Sequence, residues 1–308
     1  MTDRQFWAEQ SAVTDPREFS AWVREVPGTL AAIRATARGL VFHYRDSGDF
    51  ADNGISGGRI AEIDTRYAAD MLARLASLAT QPLASPRTTS QRVVGCCRDF
   101  AVLFVTIARA HGIAARTRVG FATYFDPGWY IDHVVAEVWD PDRDGWRLID
   151  PELGDDHMSA ADGARVDPED LTTGQFLTGP AAWRACRSGR ADPSRFAVDP
   201  ALAIPATRGW PYVRHNLIHD LAALAGHEML LWDNWGWTEI AGGPSPEQLQ
   251  VLDDLAAATG PDDVPLATVM SFYEREGLTV PAQVTSYSPA ADEPLSVAIQ
   301  AAGSQDGR

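Results

Sequence analysis

The chain has 308 residues, 45% of them hydrophobic and 22% charged, with a formal net charge of −16. That is ample material for a core, and the acidic balance speaks against nucleic acid or an anionic membrane as partner. Three cysteines, two of them adjacent, exclude a disulfide framework; with no leader pattern and no apolar run of about 18 residues, a cytoplasmic location is expected.

In chain order, residues 1–90 read as mostly helical. Asp15 is a cap for a helix from Pro16, a second helix begins at Gly28 and Thr29, and a third spans 63–78. Residues 91–153 read as the catalytic core. After Cys97, Phe100, Leu103, Phe104, Ile107 and Ala108 recur at three- and four-residue steps, the spacing of one buried helical face. Gly112 marks the stop, with Arg109 in the last turn. Residues 116–125, 132–139 and 146–150 read as strands, and the polar residues 140–145 as the turn between the last two. Residues 154–170 read as an irregular acidic rim or lid, 176–187 and 210–229 as helices, and Ser245 as the cap of another. Residues 154–284 form the C-terminal part, and the tail 285–308 is expected to be mobile.

The core pattern carries chemistry. A cysteine in the first helical turn meets unpaired N–H groups and the positive end of the dipole, so the Cys97 thiol pKa is expected to be lowered. In the hairpin, a turn at residues 141–144 sets Trp139 against Trp146 and Asp150 opposite Val135. Alternation then puts His133 and Asp150 diagonally on one face, within mutual reach without a bulge. Cys97, His133 and Asp150 fit thiol catalysis: nucleophile, proton carrier and orienting acid.

Gly95-Cys96-Cys97-Arg98-Asp99, the run from Arg109 to Arg116, the strand from His133 to Trp139, and Gly145-Trp146-Arg147-Leu148-Ile149-Asp150-Pro151 together resemble the transglutaminase-like superfamily. The resemblance implies an α+β, papain-like fold: a thiol-bearing helix packed on an antiparallel sheet, here with helical N- and C-terminal additions. It implies Cys97 as nucleophile, His133 as base and Asp150 as orienting acid. Further stretches, Thr14-Asp15-Pro16, Gly120-Phe121-Ala122, residues 176–187 and Leu231-Trp232-Asp233, look similar to a group of bacterial transglutaminase-domain proteins. Cys96 and the pair Val134-Val135 depart from the usual pattern.

The bland readings hold elsewhere. Cys96 is expected to pack, Arg98 and Asp99 to pair and cap, and Asp132 to be a turn residue facing away from His133. Glu137 is expected either on the cleft or facing solvent. His215 and His219, four apart on a helix, and His227 lack a third spaced ligand, so no metal is expected; no nucleotide-binding or other cofactor motif occurs. Trp210, Trp232, Trp235 and Trp237 are expected in the core or on the surface, with a pocket wall as the alternative. The expected activity is acyl transfer from a small-molecule or peptide donor, including a carrier-bound thioester, to an amine acceptor. The alternatives are a cysteine peptidase or amidase, and a non-catalytic interaction scaffold.

Overall fold

The computed structural model describes residues 3–202, 204–239, 242–260 and 263–300. The N-terminal part contributes α1 (Asp3–Ala8), α2 (Ser20–Arg24), α3 (Leu30–Leu40), β1 (Val41–His43), α4 (Ala68–Leu78) and β2 (Val93–Gly95). Thr29 caps α3 by accepting from the N–H of Ala32. Two expectations shift. The helix from Pro16 is a short 3-10 turn leading into α2, and residues 57–64 are 3-10 before α4 starts at Ala68. The end of the second apolar run becomes β1, which pairs in parallel with β2 and sets His43 beside Gly95.

The thiol helix is α5 (Cys97–Ala110). It ends as its sequence dictates, at His111 and then Gly112 with φ +72°. Arg109 turns inward instead of serving the helix end. Its guanidinium meets Glu228 at 3.3 Å and also donates to Thr14 and the Trp7 carbonyl, because no buried cation is tolerated unpaired.

Next come β3 (Ala115–Ala122), β4 (Tyr130–Asp140), β5 (Gly145–Ile149) and β6 (Phe176–Thr178). The order is β5-β4-β3-β6, all antiparallel, and β7 (Phe196–Ala197) adds in parallel to the start of β4. The fold is thus the expected mixed one, with α5 against an antiparallel sheet. Ala115, Ala136, Val138 and Ile149 meet Phe100, Phe104 and Ile107 in one apolar cluster. The opposite face, with Ala122, Val135 and Leu148, is covered by Leu153, Val166 and Leu171 from the irregular residues after Asp150.

The C-terminal part holds α6 (Gly179–Arg187), α7 (Gly209–Leu224), β8 (Asp233–Asn234), α8 (Pro246–Ala258), α9 (Leu266–Tyr273), β9 (Gln283–Ser286) and β10 (Leu295–Ala298). Ser245 and Gln248 form the expected capping box of α8. Where a mobile tail is expected from Thr285, the chain instead pairs β10-β9-β8, and Ser286 and Ser288 bond to Arg66 and Asp64. The pairing with β8 and the bonds to Arg66 and Asp64 are missed because those partners lie far away in sequence; the β9–β10 hairpin is local and is missed because its strands are short. The last residues of that tail, 301–308, lie outside the described ones.

A buried charge chain ties sheet to helix. Glu137 takes Arg116 at 2.5 Å and Arg118 at 3.1 Å, and Arg118 forks onto Asp220 of α7. Glu137 therefore does not face solvent; with Arg118, Leu148 and Phe176 it lines a cavity beside the sheet.

Gly120 lets β6 approach: a Cβ there would collide with the Leu177 carbonyl oxygen. Gly120→Ala should destabilise the protein by about 1–3 kcal/mol, as overpacking does, read as a lower urea midpoint with unchanged m-value.

Candidate active site

The register of β4 and β5 is the expected one: Trp139 faces Trp146, Asp140 faces Gly145, and the pairing ends at Ala136 with Ile149. The next residue, Asp150, therefore lies across from Val135 and diagonal to His133. Nε2 of His133 meets Asp150 Oδ2 at 2.8 Å, with no bulge in the strand. Both are buried, at 2% and 0% exposure.

Three further contacts fix this pair. The Tyr124 hydroxyl donates to the same Oδ2 at 2.6 Å, and the Glu152 N–H donates to Oδ1 at 2.9 Å. The Phe125 ring stands edge-on to the imidazole, 5.0 Å between centroids. Sequence reasoning assigned no role to Tyr124 or Phe125. The available signal was an aromatic pair at the end of a strand that neighbours the histidine strand. With Asp150 holding Nε2, Nδ1 is the ring nitrogen left for a second partner.

Cys97 opens α5 and is 6% exposed. It clusters with Val119, Val134 and Leu231, on the sheet face that α5 covers. His133 precedes Val134 and leaves the strand on the other face. No hydrogen bond joins Cys97 to His133 among the described residues. Both nevertheless lie in the field of the same two carboxyls, Asp132 and Glu152.

The charge states differ from expectation at the thiol. Cys97 is pushed well above the usual thiol range: it donates to the Cys96 sulfur, it is buried, and Asp132 and Glu152 add negative potential. The expected lowering fails because these effects outweigh the helix start. The N–H of Asp99 is spent there on the Cys96 carbonyl, at 2.9 Å. Cys96 is thus the cap of α5, while Asp99 Oδ2 accepts from the Cys96 N–H at 2.9 Å and Oδ1 takes Arg98. At His133, burial alone would lower the pKa, but the Asp150 carboxylate and its hydrogen bond prevail and raise it. Asp150 is correspondingly lowered, its burial outweighed by His133 and Tyr124.

Asp132 belongs to β4 and not to a turn. It faces away from His133 as expected and accepts from Tyr212 at 2.7 Å and Asn216 at 2.8 Å. Burial pushes it up to about 6. His215 and His219 stack at 3.9 Å between ring centroids, and His219 Nε2 bonds to the Asp233 carbonyl, so this pair reads as packing. His227 stacks on Tyr273. Among the tryptophans, Trp235 is core, Trp210 is 40% exposed, and Trp232 donates to Asp64.

One other group has metal-ligand atoms within 4.8 Å of one another: His43, Asp46 and Glu152. Nδ1 of His43 already accepts the N–H groups of Arg45 and Asp46, at 3.2 and 3.1 Å. Asp46 Oδ2 also lies 3.1 Å from that Nδ1, so the nitrogen is already engaged and is not open to a cation.

The fold and this site define a class: a cysteine-led helix on an antiparallel sheet whose neighbouring strands hold a histidine and an aspartate. Residues 60–151, under a third of the chain, match the model of the transglutaminase-like superfamily, and that segment is a transglutaminase-like core. No curated protein matches the chain. A solved protein from Cytophaga hutchinsonii, provisionally described as a cysteine protease, is similar at 18% identity with a TM-score of 0.32. The likeness covers 47% of this chain and 40% of that one.

Because His133 is raised in the folded state, its contribution to stability is fully present below the unfolded histidine pKa, about 6.5. It is lost as pH rises through the folded value. Asp150→Asn removes the opposing charge and leaves burial to act alone. In that variant the His133 pKa, followed by NMR, should fall below the ordinary histidine value, and the stability advantage of wild type should shrink as pH rises.

Proposed function

We propose that the protein is a thiol-dependent acyltransferase that works through a cysteinyl acyl-enzyme and delivers the acyl group to an amine. The observation that carries this reading is the buried His133–Asp150 hydrogen bond on the sheet against which the helix with a cysteine in its first turn packs. Cys97 enters as a thiol. As its sulfur attacks an amide, ester or thioester carbonyl, His133 takes the proton through Nδ1, and Asp150 stabilises the imidazolium that forms. The thiol must come within reach of Nδ1 when substrate binds, as catalytic hydrogen bonds often close only in the complex. The backbone N–H of Cys97, at a helix start, is suited to hold the oxyanion. His133 then returns the proton to the leaving group, and the thioester awaits an acceptor.

The donor is a small molecule or peptide, and a carrier-bound thioester suits the same chemistry. Hydrolysis shares the first half-reaction, so the acceptor separates a transferase from an amidase. The residues that follow Asp150 cover the imidazole side of the sheet with Leu153, Val166 and Leu171, a cover that favours exclusion of water.

The test is a burst assay with p-nitrophenyl acetate, the trapped acyl group being located by mass spectrometry. The label should sit on Cys97. Cys97→Ala should show none, His133→Ala should acylate about 100-fold slower or worse, and Asp150→Ala should lose less than His133→Ala. Cys96→Ser should remain active, since serine caps a helix at least as well as cysteine. Label on Cys96, or equal loss from Cys96→Ser and Cys97→Ser, would overturn the assignment. No acylation at all, with Cys97→Ala functional in the cell, would favour a scaffold.

A further inference from the structure

Glu152 is a carboxyl with no task in the fold. Its backbone is used: the N–H donates to Asp150 Oδ1 and the carbonyl accepts from Arg38. Its side-chain Oε2 is closed off from solvent and meets no hydrogen-bond donor. A buried carboxyl oxygen without a donor is costly in a finished protein, and such a group calls for an explanation. Its surroundings are those of the proposed reaction. Glu152 follows Asp150 by two residues and acts electrostatically on Cys97, His133 and Tyr124. Opposite it stand His43 and Asp46, carried to the start of α5 by the β1–β2 pairing, with polar atoms within 4.8 Å. Asp46 is 73% exposed on its side chain, so the group runs from the rim of the site to the half-buried Glu152, whose Oε2 is closed off.

Resting on the acyl-enzyme reading above, we infer that Glu152 and Asp46 form the acceptor subsite and receive a primary ammonium, Glu152 being the residue that selects an amine over water. An ammonium brings three N–H donors and a positive charge: Oε2 of Glu152 has no donor, and the Asp46 carboxylate, whose Oδ2 lies 3.1 Å from His43 Nδ1, is otherwise open to solvent. His43 has its pKa held down to about 4, chiefly by burial, so it adds no competing charge at neutral pH. Glu152 itself is pushed up to about 8 by burial, with Asp150 and Asp46 adding to the rise and His133 and Arg38 opposing it. At neutral pH Glu152 is therefore mostly protonated before an acceptor binds. The charge of a bound ammonium draws it into the carboxylate form, and a carboxylate of raised basicity takes a proton from that ammonium better than an ordinary one.

The step balances as follows. The acceptor ammonium gives one proton to Glu152, and its freed lone pair forms the C–N bond to the thioester carbonyl carbon. The C–S bond to Cys97 breaks, and the second amine proton passes through His133 to the leaving sulfur. Amide and free thiol result, and Glu152 returns its proton to solvent.

The experiment acylates the full-length protein with p-nitrophenyl acetate and offers ethanolamine, charged at neutral pH, or hydroxylamine, uncharged there. The quantity read is the ratio of amide, or hydroxamate, to acetate formed from one acyl-enzyme. Glu152→Gln should lower the ethanolamine ratio about tenfold or more, as loss of a charge-assisted hydrogen bond does. The hydroxylamine ratio should change much less. Asp46→Asn, at the exposed rim, should lower the ethanolamine ratio in the same direction. Unchanged ethanolamine ratios in both variants, or equal losses with both acceptors, would overturn the inference while leaving the acyl-enzyme standing. Wild type that forms no acyl-enzyme on Cys97 would overturn the proposed function and this inference with it.

Discussion

The two-residue alternation of β4 against β5 is the constraint on which the site depends. Once Trp139 faces Trp146, Asp150 has only one place to go, diagonal to His133, and every other contact at the imidazole follows. A slip by one residue would send His133 toward α5 and Asp150 away from it. The register is held hard. Trp139 and Trp146 pack edge to face, and the Arg116 guanidinium lies 3.9 Å from the Trp146 ring centre and 4.5 Å from that of Trp7. Structure far from the imidazole along the hairpin thus sets its geometry.

The sheet divides the labour between its faces. One face is dry and meets α5, and it places Cys97 among Val119 and Val134. The other carries His133, Asp150, the Arg116–Glu137–Arg118 charges and the irregular cover. Thiol and imidazole therefore flank one strand, and Asp132 and Glu152 act on both. This acidic setting keeps the resting thiol protonated, a plain consequence of burial and negative potential around the start of a single helix.

Much of this was legible in the sequence. Three- and four-residue spacing gave α5 its extent, and Gly112 its end. Strand alternation with a polar turn gave the hairpin register and the His133–Asp150 diagonal, because both rules are local. The rest was not local. Tyr124 reaches Asp150 from 26 positions away, Arg109 pairs with Glu228 across 119, and Ser286 of β9 faces Asp233 of β8 in residues that read as a loose tail. The thiol's charge state was missed for a related reason. A helix start is visible in sequence, whereas the carboxyls that crowd it come from β4 and from beyond β5. Cys96 as a cap was also hidden, since serine, threonine, aspartate and asparagine are the residues that signal one.

The long-range ion pairs have a meaning for how the chain is made. Arg66, Arg109 and Arg118 find their acids at Asp233, Glu228 and Asp220, all in a short stretch far downstream. As the polypeptide leaves the ribosome, the thiol helix and strands β3 to β5 are out by Asp150, yet Arg66 and Arg109 have no counter-charge, and Arg118 only Glu137, until that stretch emerges. The core must wait, hydrated and open, for roughly seventy more residues at the pace of translation, about 5–20 residues per second. Closure around the thiol helix is then a late event, because a chain that stops short of Asp220 lacks all three acids.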